Sequence, residues 1–76
     1  MGQFTRISHD INIMGGKPCI KGTRITVGAI LMHISDGVSL NELLIEYPLL
    51  TNDDITEALR YAAWLAGTRE EAIIPA

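Results

Sequence analysis

Two short motifs that start helices constrain the fold of this chain more than any other feature. "SLNE" at Ser39–Glu42 and "TNDD" at Thr51–Asp54 each place a hydroxyl residue three positions before a carboxylate, which is the pattern of a capping box. Thr26 is a third candidate N-cap, because an apolar run follows it. Gly37 and Pro48 stand where the first and second segments should end. The sequence therefore predicts three helices.

Apolar residues within these segments predict the buried face of each helix. They recur at intervals of three and four residues and are Val27, Ile30, Leu31, Ile34, Leu40, Leu43, Leu44, Ile55, Ala58, Leu59, Ala62 and Ala66. Gly67 is expected to end the third helix. The link between the second and third helices, residues 47–50, is as short as in helix-turn-helix domains. We therefore expect a mainly α fold, a three-helix bundle of helix-turn-helix type over residues 26–67.

The first 25 residues predict a strand-and-turn arm, here called the N-terminal arm (residues 1–25). "FTRIS" and "INIM" have the composition of short strands around a turn at residues 9–10. "PCI" and "RIT" flank a second turn, in which Gly22 can adopt the positive φ of a tight hairpin. Residues 68–76 are expected to form a flexible tail. All three parts belong to one domain in this prediction.

Charge is distributed unevenly between the two ends of the chain. Residues 1–30 hold four cations and one carboxylate, a local charge of +3, whereas residues 31–76 hold two cations and eight carboxylates, a local charge of −6. Such asymmetry indicates interaction surfaces of opposite sign, although solvated faces of a small protein can also produce it.

Several functional classes are disfavoured by composition. Cys19 is the single cysteine, so no intramolecular disulfide can form, and a reducing cytoplasm is the expected compartment. One cysteine and two separate histidines do not make a convincing metal site. The longest apolar run is too short to span a bilayer. We expect a soluble cytoplasmic protein with no metal, no cofactor and no membrane contact. Cys19 with His9 or His33 lacks any catalytic spacing signature, so we do not expect an enzyme.

The third helix is a poor candidate for reading DNA bases. Its first turns carry Asp53, Asp54 and Glu57, and carboxylates there oppose a polyanion. The same residues stabilise a helix N-terminus. The weaker hypothesis of nucleic-acid binding falls on Lys17, Lys21, Arg24, Asn52 and Arg60.

Trp64 is the most informative anomaly in the sequence. It follows Ile55 by nine residues and so lies about 180° around the helix from the core stripe, with Tyr61 on the same outer side. We expect two large aromatic side chains on the outer side of the helix to be shielded from water by another part of a protein. Either the N-terminal arm folds over them or a partner protein does, since Trp and Tyr are favoured interface anchors. Both readings stay open.

The stretches "MGGKPCIKGTRITV" and "SDGVSLNELLIEYPLLTNDDITEALRYAA" closely resemble a widespread family of small prokaryotic proteins. The family was first described as a domain of unknown function, and its members are now described as antitoxins. The resemblance covers residues 7–66. Family members are often encoded beside a PIN-like nuclease, and their fold is classed as homeodomain-like and trihelical. No catalytic residues come with the resemblance.

The resemblance implies the antitoxin of a type II toxin-antitoxin pair, which neutralises a PIN-like toxin by protein-protein contact. On this hypothesis the tail orders on the toxin and the protein itself is a homodimer. The candidate partner-binding residues are Tyr61, Trp64, Glu70, Glu71, Ile73 and Ile74. The alternative is a sequence-specific DNA-binding repressor of helix-turn-helix type that uses the cations named above.

Overall fold

Three α-helices follow a small antiparallel sheet in the computed structural model, which describes the backbone of residues 4–73 and the side chains of residues 4–68. Helix α1 spans Val27–Ser35, α2 spans Leu40–Glu46 and α3 spans Asn52–Ile73. The predicted mainly α fold of three helices with a short N-terminal strand arm is confirmed.

Helices α2 and α3 begin at the two predicted capping motifs. At α3 the box is complete: the Asp54 N–H donates to Thr51 Oγ1 (3.2 Å), and the Thr51 N–H donates to Asp54 Oδ2 (3.0 Å). At α2 the Glu42 N–H donates to Ser39 Oγ (3.2 Å), but the Glu42 carboxylate accepts from the Ser39 hydroxyl instead of the backbone. Both devices satisfy N–H groups that a helix start leaves unpaired.

Helix α1 is also bounded by the predicted residues. Thr26 Oγ1 accepts from the Ala29 N–H (3.0 Å). At the other end Gly37 has φ +87° and its N–H donates to the Ile34 carbonyl (3.0 Å). A residue in this left-handed conformation closes a helix, and glycine adopts it without a Cβ clash.

Helix α3 continues past Gly67 to Ile73, so the prediction that Gly67 ends this helix is wrong. A glycine inside a helix costs about 1 kcal/mol relative to alanine. The residues that follow are strong helix formers, with the sequence "REEA" at positions 69–72. Their propensity, together with the helix already formed, outweighs the single glycine.

One of the two strand pairings that the sequence predicts is confirmed, "PCI" with "RIT", whereas "FTRIS" pairs with "PCI" and not with "INIM". Strand β1 (Ile7–Ser8) runs antiparallel to β2 (Cys19–Ile20), and Cys19 bridges onward to Thr26. The predicted hairpin turn with a positive φ at Gly22 is confirmed (+78°). The predicted strand "INIM" is wrong, because the chain there forms turns that lead into a 3-10 turn at Met14–Gly16, where all three φ values are positive.

One core joins the N-terminal arm to all three helices. Its buried members are Phe4, Ile7, Ile20, Val27, Ile30, Leu43, Leu50, Ile55, Ala58 and Tyr61. Three residues expected in the core are exposed instead: Leu40, Leu59 and Ala66. For α3 the reason is tertiary, because the arm packs against the side of the helix that carries Tyr61 and moves the buried stripe toward it.

Candidate protein-interaction site

An aromatic cluster joins the N-terminal arm to the middle of α3. The ring of Phe4 meets Tyr61 edge-on, with centroids 5.2 Å apart, and lies 5.8 Å from the ring of Trp64. Tyr61 and Trp64 are 6.0 Å apart. These separations fall in the range of favourable aromatic pairs. The chain's own arm thus covers one side of Trp64, and 43% of that residue remains exposed.

Tyr61 lies in the core because the N-terminal arm folds over it, which is one of the two alternatives that the sequence leaves open. Only 5% of this residue is exposed. Its hydroxyl lies 2.9 Å from His9 Nε2, so the polar end of the ring is satisfied within the protein. Tyr61 therefore packs against the ring of Trp64 from the core side, and it is not itself exposed to a partner.

Arg6 fastens the arm to the first turns of α3. Its backbone N–H donates to the Glu57 carboxylate, Nη1 lies 3.2 Å from Asp54 Oδ1, and Nη2 lies 3.5 Å from Asp53 Oδ2. The Asp54 side chain is 10% exposed, whereas that of Asp53 is 79% exposed. The carboxylates at the start of α3 therefore hold the arm in place in addition to stabilising the helix end.

The residues proposed for nucleic-acid binding are all exposed but come from two separate elements. Lys17, Lys21 and Arg24 lie in the arm outside its strands, and Asn52 and Arg60 lie on α3. Among the residues with described side chains, both ion pairs involve Arg6. Lys17, Lys21 and Arg24 therefore form no ion pair between the arm and the helices of the same chain.

An acidic and apolar surface covers α2 and the turn after it. We call it the α2 surface; its members are Glu42, Ile45, Glu46 and Leu49, all exposed. Ile45 is 78% exposed and Leu49 is 72% exposed. No Lys or Arg occurs between residues 31 and 59. Such a surface repels phosphates and suits a protein partner.

The tail hypothesis stays a prediction. The backbone of residues 69–73 continues α3, so Glu70, Glu71 and Ile73 belong to the same helix as Trp64. Their side chains, and all of Ile74, lie outside the described residues.

The three residues considered for catalysis have structural roles: Cys19 is buried, and His9 and His33 each lie within hydrogen-bond distance of a tyrosine hydroxyl. Cys19 is 1% exposed in β2. The His33 Nε2 atom lies 2.9 Å from the Tyr47 hydroxyl and links α1 to the end of α2. Between residues 4 and 68, no three His, Cys, Asp or Glu side chains are placed to hold a metal ion. No helix in the described part of the chain is long and apolar enough to cross a membrane.

The sequence interpretation missed several residues of this site. Phe4 and Arg6 act through contacts to residues about fifty positions away, for which a single sequence has no local signal. Ile45 had a signal, because it falls outside the 3-4 spacing of the apolar residues on α2.

Comparison with known proteins is consistent with this architecture. A family described as "Protein of unknown function (DUF433)" matches residues 7–62. The crystal structure of a DUF433 member protein from Anabaena variabilis ATCC 29413 is similar, with 29% sequence identity and a TM-score of 0.77 over 90% of this chain and 67% of that chain. The search of curated proteins returned no match. With most of its length matched, the chain belongs to the DUF433 family.

Proposed function

We propose that this protein is the antitoxin of a type II toxin-antitoxin pair and that it neutralises a PIN-like nuclease toxin by direct protein contact, acting as a homodimer. Three features support the proposal: a half-exposed tryptophan on a preorganised support, an acidic and apolar α2 surface, and the resemblance of the sequence to proteins described as antitoxins.

The strongest support for the proposal is the position of Trp64. Its ring packs on Phe4 and Tyr61, yet 43% of the residue is exposed. Tryptophan is strongly enriched among residues that dominate binding energy. A ring that neighbouring aromatic side chains already hold in place loses less conformational freedom on binding. Trp64 is therefore suited to anchor a partner protein.

The charge of the helical body, which comprises helices α1 to α3, suits the proposed class of partner. A nuclease attracts its polyanionic substrate with basic residues. The helical body of this chain presents carboxylates, with no cation between residues 31 and 59. Complementary charge steers association and selects the partner, while the apolar anchors supply affinity. Glu70 and Glu71 extend the same acidic character along α3 toward the C-terminus.

Co-expression with the product of the adjacent gene tests the proposal. We expect the two proteins to elute together in size-exclusion chromatography, with a mass by light scattering that equals a defined complex. We also expect the nuclease activity of the toxin to fall to background in that complex. A dimer of this chain that elutes apart from an intact nuclease-like neighbour would contradict the proposal.

The alternative function is a DNA-binding repressor of helix-turn-helix type. The observation that favours it is the short turn between α2 and α3, with Asn52 and Arg60 exposed on α3. Arg6 also partly neutralises Asp53 and Asp54. The α2 surface argues against it, because Glu42 and Glu46 would face phosphates if this motif docked on DNA. Binding of an operator fragment that weakens steeply with salt would support this alternative.

A further inference from the structure

The loop at residues 21–24, here called the KGTR loop (Lys21–Arg24), is held in one conformation. The Thr23 hydroxyl donates to the Ile20 carbonyl (2.8 Å), and the same oxygen accepts from the Ile25 N–H (3.0 Å). The Thr23 N–H also donates to the Ile20 carbonyl (3.0 Å), and Gly22 takes φ +78°. The Thr23 side chain thus joins both sides of the loop, and the loop is therefore preorganised.

This preorganised loop presents two cations to solvent. Lys21 and Arg24 are both exposed. In the part of the chain with described side chains, neither forms an ion pair with a carboxylate. The same N-terminal arm also exposes apolar side chains, with Ile11 74% and Met14 43% exposed. The arm therefore has a cationic and apolar exterior.

The α2 surface has the opposite charge and the same apolar character. Glu42 and Glu46 are four residues apart on one helix, so they lie on neighbouring turns, about 6 Å apart along the axis. Ile45 stands between them in the sequence, and it and Leu49 are among the most exposed large apolar residues of the helical body. Two carboxylates beside exposed apolar groups complement two cations on an apolar arm.

We propose that the KGTR loop of one copy docks on the α2 surface of a second copy, and that the second copy returns the same contact. Every copy carries both halves of the complementary pair, so a two-fold arrangement makes the contact twice. Lys21 and Arg24 lie against Glu42 and Glu46, and Ile45 with Leu49 are shielded from water. The inference adds the interface to the homodimer in the proposed function, and it is tested on the protein alone.

A reciprocal charge exchange tests the contact. One variant carries Lys21→Glu and Arg24→Glu, and the other carries Glu42→Lys and Glu46→Lys. We expect the dimer dissociation constant of each variant alone to rise at least about tenfold, because like charges then meet in both contacts. In an equimolar mixture both contacts again pair opposite charges, so we expect sedimentation equilibrium to recover a dimer close to wild-type affinity.

Three results would overturn the inference: a wild-type protein that stays monomeric at all concentrations, variants that dimerise as the wild type does, or a mixture that fails to recover the dimer. Circular dichroism of each variant monitors folding, since Glu42 also binds the Ser39 hydroxyl. A wild-type monomer that still bound the toxin would remove this inference and the homodimer, and would leave the proposed neutralisation of the toxin by direct contact standing.

A matched pair of neutral substitutions gives an independent readout. Ile45→Ser removes an apolar group of the α2 surface, whereas Met32→Ser changes a similarly exposed apolar residue on α1, at 64% exposure. We expect Ile45→Ser to weaken the dimer several-fold and Met32→Ser to leave it unchanged. Equal effects of the two substitutions would place the interface elsewhere.

Discussion

At the scale of single residues, Asp54 joins the N-terminal arm to the start of α3. One carboxylate oxygen accepts from the Thr51 N–H and so starts α3, while the other lies 3.2 Å from the Arg6 guanidinium of the arm. The residue is 7% exposed. A buried carboxylate in this position is stabilising only while both partners remain.

We expect Asp54→Ala to lower the free energy of unfolding by about 2 kcal/mol, because it removes half of the capping box and takes from both the Thr51 N–H and the Arg6 guanidinium their partly buried acceptor. Asp53→Ala is the matched control. Its carboxylate is 79% exposed and lies 3.5 Å from Arg6, so the expected loss stays below about 1 kcal/mol. Urea denaturation followed by circular dichroism measures both. Equal losses would show that Asp54 does not join the arm to α3.

Single residues also show the limit of sequence analysis. The capping role of Thr51 and Asp54 follows from their own spacing and is confirmed. The burial of Tyr61 does not follow from spacing, because it depends on Phe4 and His9 from the other end of the chain. Helical periodicity shows which residues share a face, but only the tertiary packing decides which face is covered.

At the scale of elements, local signals predict where helices begin better than where they end. All three predicted N-caps are confirmed, because each is a short-range hydrogen bond between a side chain and a backbone N–H three residues later. The two positions proposed as helix-ending glycines differ. Gly37 has φ +87° and ends α1, whereas Gly67 lies inside α3.

Alanine substitutions at these two glycines should change stability in opposite directions. Gly37→Ala forces a Cβ into the left-handed region and should cost about 1 kcal/mol. Gly67→Ala should add about 0.5 to 1 kcal/mol, because alanine favours the helix and a Cβ at this position meets no atom within 4 Å. Thermal unfolding of the two variants measures the effect. A loss of stability in Gly67→Ala would contradict a helix that continues through this residue.

At the scale of the whole molecule, opposite charges connect the two ends of the chain. The sequence predicts a basic N-terminal arm and an acidic helical body, but it does not show which cation contacts which carboxylate. Arg6 makes the intramolecular contact, while Lys21 and Arg24 remain exposed. The arm thus contributes to the core, supports Trp64 and carries the two exposed cations of the KGTR loop.

The same packing explains why the candidate site was only partly predictable. Trp64 was expected outside the core stripe and is 43% exposed. Whether the arm or a partner covers Trp64 depends on the position of Phe4, which contacts Trp64 although the two residues are sixty positions apart in the sequence. Long-range contacts of this kind depend on how the strands pair, and the strand pairing was the least accurate part of the sequence prediction.

The most direct test of the central claim compares Trp64→Ala with Leu59→Ala in toxin binding. Both residues lie on α3 and both are 43% exposed, but only Trp64 is supported by the arm. Isothermal titration calorimetry against the proposed PIN-like toxin measures the dissociation constant. We predict a weakening of at least about tenfold for Trp64→Ala and of less than about twofold for Leu59→Ala. Wild-type affinity in Trp64→Ala would contradict the account.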